Sequence, residues 1–233
     1  MLEKLLILER ALFLRLNNCH TPFGDQFMWL YSGTYAWIPV AICFFAILFY
    51  ANRKRWKEIL LVVVAIALTI TLCDQFSSGF CKPFFTRFRP TYHPDFMNDV
   101  MTVFDYRGGR YGFISSHAAN GFGFATLTSL IFRNKLYAIS LFLWATVFAY
   151  SRIYLGVHFI SDIIPGILTG LFFGWLVYKL FVFAHKKAFA GLPDRDTPYP
   201  NNGLTPILSV LVATILIIAI ISTLNAYQNI NFK

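Results

Sequence analysis

Charge is scarce in this 233-residue sequence: Asp and Glu number 11, Lys and Arg 20, and together they make up 13% of the chain. Soluble domains carry about a quarter charged residues. With 57% of the residues apolar or aromatic and a mean hydropathy of +0.58, there is more apolar surface than one globular core hides from water, which excludes an ordinary cytosolic domain. A disordered chain and a collagen-like fibre are excluded on the same composition. Cysteine is sparse too. Cys19, Cys43, Cys73 and Cys81 show no C-x-x-C spacing and none of the density of a disulfide scaffold, so they read as buried packing residues. Internal repeats and low-complexity tracts are absent, and the one Pro/Asp/Asn-rich linker is GLPDRDTPYPNNG at 191–203. The N-terminus lacks the unbroken apolar centre of a signal peptide, because Glu3, Glu9, Arg10 and Arg15 interrupt its leucines. Residues 2–16 read instead as an amphipathic helix lying at a membrane surface.

What the chain does have is apolar runs bounded by charge, as spanning helices of about 20 mostly apolar residues require. Spans are expected over 35–50, 59–73, 118–132, 136–150, 160–183 and 204–224. The expected architecture is therefore all-α: a polytopic membrane helix bundle of about six spans, one domain over residues 1–233, with the N-terminal helix at the interface. The net charge of +9 is spread in short clusters between spans, which argues against a nucleic-acid partner. Ten of the 20 basic residues follow the first, third and fifth spans, on one face, which the positive-inside rule assigns to the cytoplasm. The opposite face carries Lys82, Arg87, Arg89, Arg107, Arg110 and Arg152 and, with the four basic residues near the termini, also reaches ten, so charge alone orients the chain weakly. Compact basic groups beside apolar spans are costly and mark a substrate or ion path. Setting those six aside leaves ten against four.

Three segments carry chemistry. In Lys82-Pro-Phe-Phe-Thr-Arg87-Phe-Arg89-Pro90 the two outer cations are seven residues apart and would share one face of a helix that stops at Pro90. Such a pair suits phosphate oxygens, though for this segment alone interfacial snorkelling beside Phe84, Phe85 and Phe88 is the stronger reading. In Gly112-Phe-Ile-Ser115-Ser116-His117 either serine can cap the third span, whose free N–H groups form an anion site, with a histidine in the first turn to protonate a leaving oxygen. A capped helix with an interfacial histidine is the plainer alternative. In Ser151-Arg152-Ile-Tyr-Leu-Gly-Val-His158-Phe-Ile-Ser-Asp162, His158 and Asp162 stand at i and i+4, so on a helix the carboxylate would orient one ring nitrogen and leave the other as a nucleophile.

Taken in order, Lys-x6-Arg-Pro, Ser-x-His and Ser-Arg-x5-His-x3-Asp resemble the type 2 phosphatidic acid phosphatase superfamily, in its integral-membrane lipid phosphatase branch, over about residues 58–178. The resemblance implies a helix bundle with its site on the non-cytoplasmic side, acting on lipids such as phosphatidic acid, phosphatidylglycerophosphate, undecaprenyl diphosphate or lipid A. It implies that His158 attacks phosphorus and becomes a phosphohistidine, that Asp162 fixes its tautomer, and that His117 protonates the departing oxygen. Lys82, Arg89 and Arg152, with the Ser115 hydroxyl and the Ser116 amide, would hold the phosphate. No metal or other cofactor is implied. The expected partner is a phosphorylated lipid within the bilayer, lipid A and undecaprenyl diphosphate ranking first, at a bacterial inner membrane with a periplasmic active site; the oligomeric state is left open.

One segment departs from the family pattern: Pro-Ser-Gly-His is replaced by Ile114-Ser115-Ser116-His117, and a side chain at 116 would be strained if the loop needed a positive φ there. Phosphoryl transfer to another alcohol is an alternative to hydrolysis, and a non-catalytic anion transporter is a second, which would have no use for His117, His158 and Asp162. Three further expectations concern the surroundings. The loop 91–111 is either a headgroup-selecting lid, with Arg107 and Arg110 on a second anionic group, or plain solvated chain. Asp74 pairs with a nearby cation or caps its helix, and Gly166, Gly170 and Gly174 pack within the bundle.

Overall fold

The computed structural model describes residues 2–51, 53–189 and 204–231; the linker at 191–203 lies outside them. Nine α-helices are formed among the described residues, with no strand: α1 (Leu2–Asn17), α2 (Pro22–Ser32), α3 (Ile38–Ala51), α4 (Trp56–Asp74), α5 (Lys82–Phe85), α6 (Ser116–Phe132), α7 (Lys135–Tyr154), α8 (Ile160–Ala188) and α9 (Leu204–Asn231). A π-helical segment, Gln75–Cys81, joins α4 to α5.

All six apolar runs are helical, the first entering through a 3-10 turn at Thr34–Trp37. Four stretches are long and apolar enough to cross a membrane unaided: Arg53–Phe85, Lys135–Tyr154, Ile160–Ala188 and Leu204–Gln228. A fifth arises if α2 and the helix after it, bent by 68° at their junction, count as one broken span. The remaining run, α6, has 17 residues, about 26 Å of helix.

Helix α6 is the centre of the bundle. Ala118, Ala119, Gly121, Phe122, Gly123, Ala125 and Leu127 are buried along it, and α4, α7 and α8 pack around it. The glycines of α8 make the closest of these contacts possible. A Cβ on Gly170 would stand 2.4 Å from the Ala119 carbonyl oxygen, and one on Gly174 2.7 Å from that of Gly123. The glycine face therefore packs inside the bundle, as its spacing implies.

At one end of the bundle a buried carboxylate ties α4 to α8: Glu58 Oε1 accepts from Arg55 Nε at 2.6 Å, and Oε2 lies 3.0 Å from His185 Nε2. At the other end α1 lies against the start of α8. Phe13 is fully buried with its ring 5.4 Å from Phe159 and 6.3 Å from Phe96, while Leu5 and Leu8 remain exposed. Asn17 Nδ2 donates to the carbonyls of Met101, Ile153 and Tyr154, and its Oδ1 accepts from Met101 N–H at 2.8 Å. The 91–111 segment is thereby sewn to α1 and to the end of α7, and its own Phe96 and Val103 are buried.

Candidate active site

Lys82 and Arg89 meet the site by a different route from the one their spacing implies. The helix ends at Phe85, Thr86 turns left-handed with φ of 44°, and Arg89 is extended at φ −66° and ψ 158°. Pro90, whose ring disfavours helical conformation in the residue before it, accounts for the extended Arg89, but the helix is already broken at the left-handed Thr86. Phe88 forms an isolated antiparallel bridge with Tyr111. Around it, Arg89 N–H donates to Arg110 O at 3.1 Å and Gly112 N–H to Arg87 O at 2.9 Å. This bridge, not a shared helical face, turns the Arg89 side chain inward, where Nε donates to Tyr111 O at 3.1 Å and Nη1 to Val157 O at 3.2 Å.

His158 is likewise not on a helix. Helix α7 ends at Tyr154, Gly156 turns left-handed with φ of 75°, and α8 begins only at Ile160. Gly156 is required there twice over, because a Cβ would also meet Met101 O at 2.8 Å. Asp162, in the first turn of α8, accepts the Phe159 N–H at 3.0 Å on Oδ2, so the helix starts after His158 and the i, i+4 pair spans its N-terminus. The two groups still meet, with His158 Nδ1 3.4 Å from Asp162 Oδ2.

The second ring nitrogen, Nε2, lies 3.2 Å from Arg89 Nη1. Because a guanidinium only donates, Nε2 is the unprotonated acceptor and Nδ1 carries the hydrogen, facing the carboxylate at 3.4 Å but buried without a hydrogen-bond partner among the described residues. His158 is 1% exposed. Burial, then the charges of Arg89, Arg152 and Lys82, push its pKa well below the usual histidine value. The result is a neutral imidazole with a lone pair turned toward cations.

The other cations close the site. Lys82 Nζ donates to Ser78 Oγ at 2.8 Å and to Ser116 Oγ at 3.2 Å, and Ser78 Oγ in turn lies 3.3 Å from Asp74 Oδ1. Asp74 thus reaches a basic residue through a serine rather than directly. Arg152, 4% exposed, donates from Nη1 to Ser32 Oγ and from Nη2 to Tyr106 Oη at 3.2 Å, leaving Nε buried without a partner among the described residues. A buried guanidinium N–H with no acceptor is a donor ready for an anion.

Ser115 caps α6, its Oγ accepting from Ala118 N–H at 3.4 Å and its own N–H donating to Asp162 O at 3.0 Å, which locks the second segment onto the third. Ser116 is the first residue of α6 and is absent from the positive-φ positions, so its side chain in place of the family's glycine introduces no backbone strain. His117 is half-buried with its ring 5.1 Å from that of Phe148, within the field of Arg152, His158, Arg89 and Lys82. Contacts thus join Lys82 to Ser116, Arg89 to His158, and Asp162 to both His158 and Ser115, while Arg152 and His117 stand within electrostatic reach of them.

Arg107 and Arg110 do not join them. Both are exposed; Arg107 Nη1 donates to Thr91 O at 3.4 Å, and the Arg110 guanidinium lies over the rings of Phe88 and Tyr111. Conversely, Arg87, which no motif spacing singles out, donates from Nη1 to Asp162 Oδ1 at 2.8 Å. Its signal was its place inside the first segment. Ser32 and Tyr106, the partners of Arg152, carry no sequence signal at all. No group of three or more His, Cys, Asp or Glu side chains is placed to hold a metal ion among the described residues.

A model of the PAP2 superfamily matches residues 58–186, a range that contains all three segments. Lipid A 4'-phosphatase of Porphyromonas gingivalis is 49% identical over 186 residues, 80% of this chain and 78% of that protein. Among solved structures, Aquifex aeolicus LpxE superposes with a TM-score of 0.54 at 28% identity, covering 72% of this chain and 93% of that one. The transmembrane PAP2-type phosphatidylglycerolphosphate phosphatase from Bacillus subtilis gives 0.57 at 20% identity over 83% and 89% of the two chains, a likeness of fold alone. With its three segments folded into one site at the end of a membrane helix bundle, the chain belongs to the PAP2 superfamily, in its integral-membrane lipid phosphatase branch.

Proposed function

We propose that this enzyme hydrolyses the 4'-phosphate monoester of lipid A through a phosphohistidine, at a site on the periplasmic face of a bacterial inner membrane. The observation that carries the reading is the environment of His158: a neutral ring with Nδ1 3.4 Å from Asp162 Oδ2 and Nε2 3.2 Å from a phosphate-binding type of donor, Arg89. The choice of lipid rests on the P. gingivalis relative, which bears that activity in its name.

His117 takes up a proton as the anionic phosphate enters among the cations and offsets their charge; His158 Nε2 then attacks phosphorus in line, forming the N–P bond as the P–O bond to the sugar breaks, and His117 delivers that proton to the departing oxygen. Water then attacks the phosphohistidine, gives a proton back to His117, and releases inorganic phosphate and neutral His158. Through both steps the charge on the three equatorial oxygens is held by Lys82, Arg89, the free Nε–H of Arg152 and the N-terminus of α6. Asp162 stabilises the imidazolium character that develops on His158.

Orientation is read from charge on a six-span topology: with the site cations Lys82, Arg87, Arg89 and Arg152 set aside, the positive-inside rule weighs ten basic residues on the far side against six on the site's side. The substrate's acyl chains stay in the bilayer while its headgroup enters.

The test is phosphate release by purified, detergent-solubilised protein in EDTA, from lipid A, undecaprenyl diphosphate, phosphatidylglycerophosphate and phosphatidic acid, with His158→Ala alongside. Release from lipid A alone, lost in the variant, is the expected result. Release confined to undecaprenyl diphosphate would move the substrate, and release by His158→Ala at the wild-type rate would remove the nucleophile.

A further inference from the structure

We propose that α1 belongs to the catalytic apparatus, with Glu9 as a positioning residue that holds Arg87 against Asp162 and so sets the imidazole of His158. The inference rests on the reading of His158 as nucleophile. Glu9 lies outside the residues that the family model matches, 58–186.

Glu9 Oε2 accepts from Arg87 Nη2 at 2.8 Å, and Arg87 Nη1 donates onward to Asp162 Oδ1 at 2.8 Å and to Ser161 Oγ at 2.5 Å. Glu9 Oε1 accepts the Ser161 N–H at 3.2 Å, one of the free donors at the start of α8, and also the Ser161 hydroxyl. The Arg87 guanidinium lies 4.6 Å over the Phe159 ring. Its position is therefore determined from three sides: a carboxylate on each Nη and an aromatic face beneath.

This matters because of how Asp162 is used. The carboxylate is fully buried, and its two oxygens have separate duties. Oδ1 takes Arg87, while Oδ2 takes the Phe159 N–H and faces His158 Nδ1. Arg87 thus decides the rotation of the carboxyl plane, and Glu9, 15% exposed, decides where Arg87 sits. The phosphate-holding cations Lys82, Arg89 and Arg152 make none of these contacts.

Docking of α1 does not itself need the Glu9 carboxylate. Phe13, Asn17 and the Arg10–Asp95 pair at 3.3 Å anchor the helix independently. A loss on removing Glu9 is therefore a loss of alignment, and alignment errors of this kind cost about 10- to 100-fold in rate.

The experiment compares Glu9→Ala, Glu9→Gln, Arg87→Ala and the Glu9→Ala/Arg87→Ala double variant as full-length protein in detergent, with thermal unfolding alongside and lipid A as substrate. Glu9→Gln keeps an acceptor for Ser161 N–H but loses the charge facing Arg87, and it carries the test if Glu9→Ala fails to fold. We expect kcat to fall about 10- to 100-fold in either Glu9 variant with KM changed less than about threefold, the signature of a group that does not bind substrate. In the Arg87→Ala background the same change should cost less than about twofold, because its route to Asp162 is already cut. Wild-type kcat in Glu9→Ala and Glu9→Gln overturns the proposal, as does an equal loss with or without Arg87, which is what a merely structural helix contact would give. Turnover surviving in His158→Ala would instead overturn the reading beneath it, so the two failures are distinguishable.

Discussion

With Arg89 Nη1 3.2 Å away, a proton on His158 Nε2 would face a donor that has no lone pair to offer. Burial and the cations Arg89, Arg152 and Lys82 act in the same direction, so the ring stays neutral where an ordinary histidine, with a pKa of about 6.5, is half protonated. A lowered pKa moves protonation, and with it loss of the proposed nucleophile, to the acid side. The acid limb of kcat/KM is therefore expected below pH 6.5, and to move upward in Arg89→Gln, where one cation has been removed. A wild-type limb at or above 6.5 would contradict this. Arg89→Lys keeps the charge but cannot bond Tyr111 O, Val157 O and a phosphate oxygen from one rigid plane. Its kcat/KM should fall about 10²-fold, as loss of one transition-state donor does elsewhere; near-normal turnover would argue against direct phosphate contact.

Helices α6 and α8 hold the second and third segments together, and they approach closely because α8 presents glycines to the α6 backbone. At Gly170 any side chain meets a carbonyl oxygen at 2.4 Å, and neither backbone can rotate away without moving a whole helix. Gly170→Val should lower stability by about 1–3 kcal/mol. It should also separate the Ser115 N–H from the Asp162 carbonyl, now 3.0 Å apart. Thermal unfolding and turnover, measured together, check both; a variant as stable and active as the wild type would show that the contact is slack. The spacing of these glycines made their shared face legible in the sequence. Two other helical expectations differ from the structure locally: the left-handed Thr86 ends the helix before Arg89, which Pro90 holds extended, and the Asp162 carboxylate starts α8 after His158.

Across the whole molecule the four cysteines report orientation. Cys19 is exposed near the site, next to His20, whose Nε2 lies 3.1 Å from Tyr154 O, whereas Cys73 and Cys81 are buried and Cys43 is half-buried on α3. A membrane-impermeant thiol reagent is expected to modify Cys19 in spheroplasts and not in sealed inverted vesicles. The reverse pattern would place the site on the cytoplasmic side. The expectation that Cys19 is a packing residue like the others is the one that exposure corrects.

Composition and the order of apolar and basic segments were sufficient for the membrane helix bundle, and the residue types at their spacings were sufficient to nominate eight candidate site residues, because both are properties of the chain read locally. Contact across the chain was decided only in the folded state. That Arg152 would find Ser32 and Tyr106, that Arg107 and Arg110 would stay in solvent, and that Glu9 would reach Arg87 across 78 residues depend on how helices pack. A carboxylate in a leucine-rich amphipathic helix looks the same in sequence whether it faces water or the charged start of another helix; only the packing of α1 against α8 distinguishes the two.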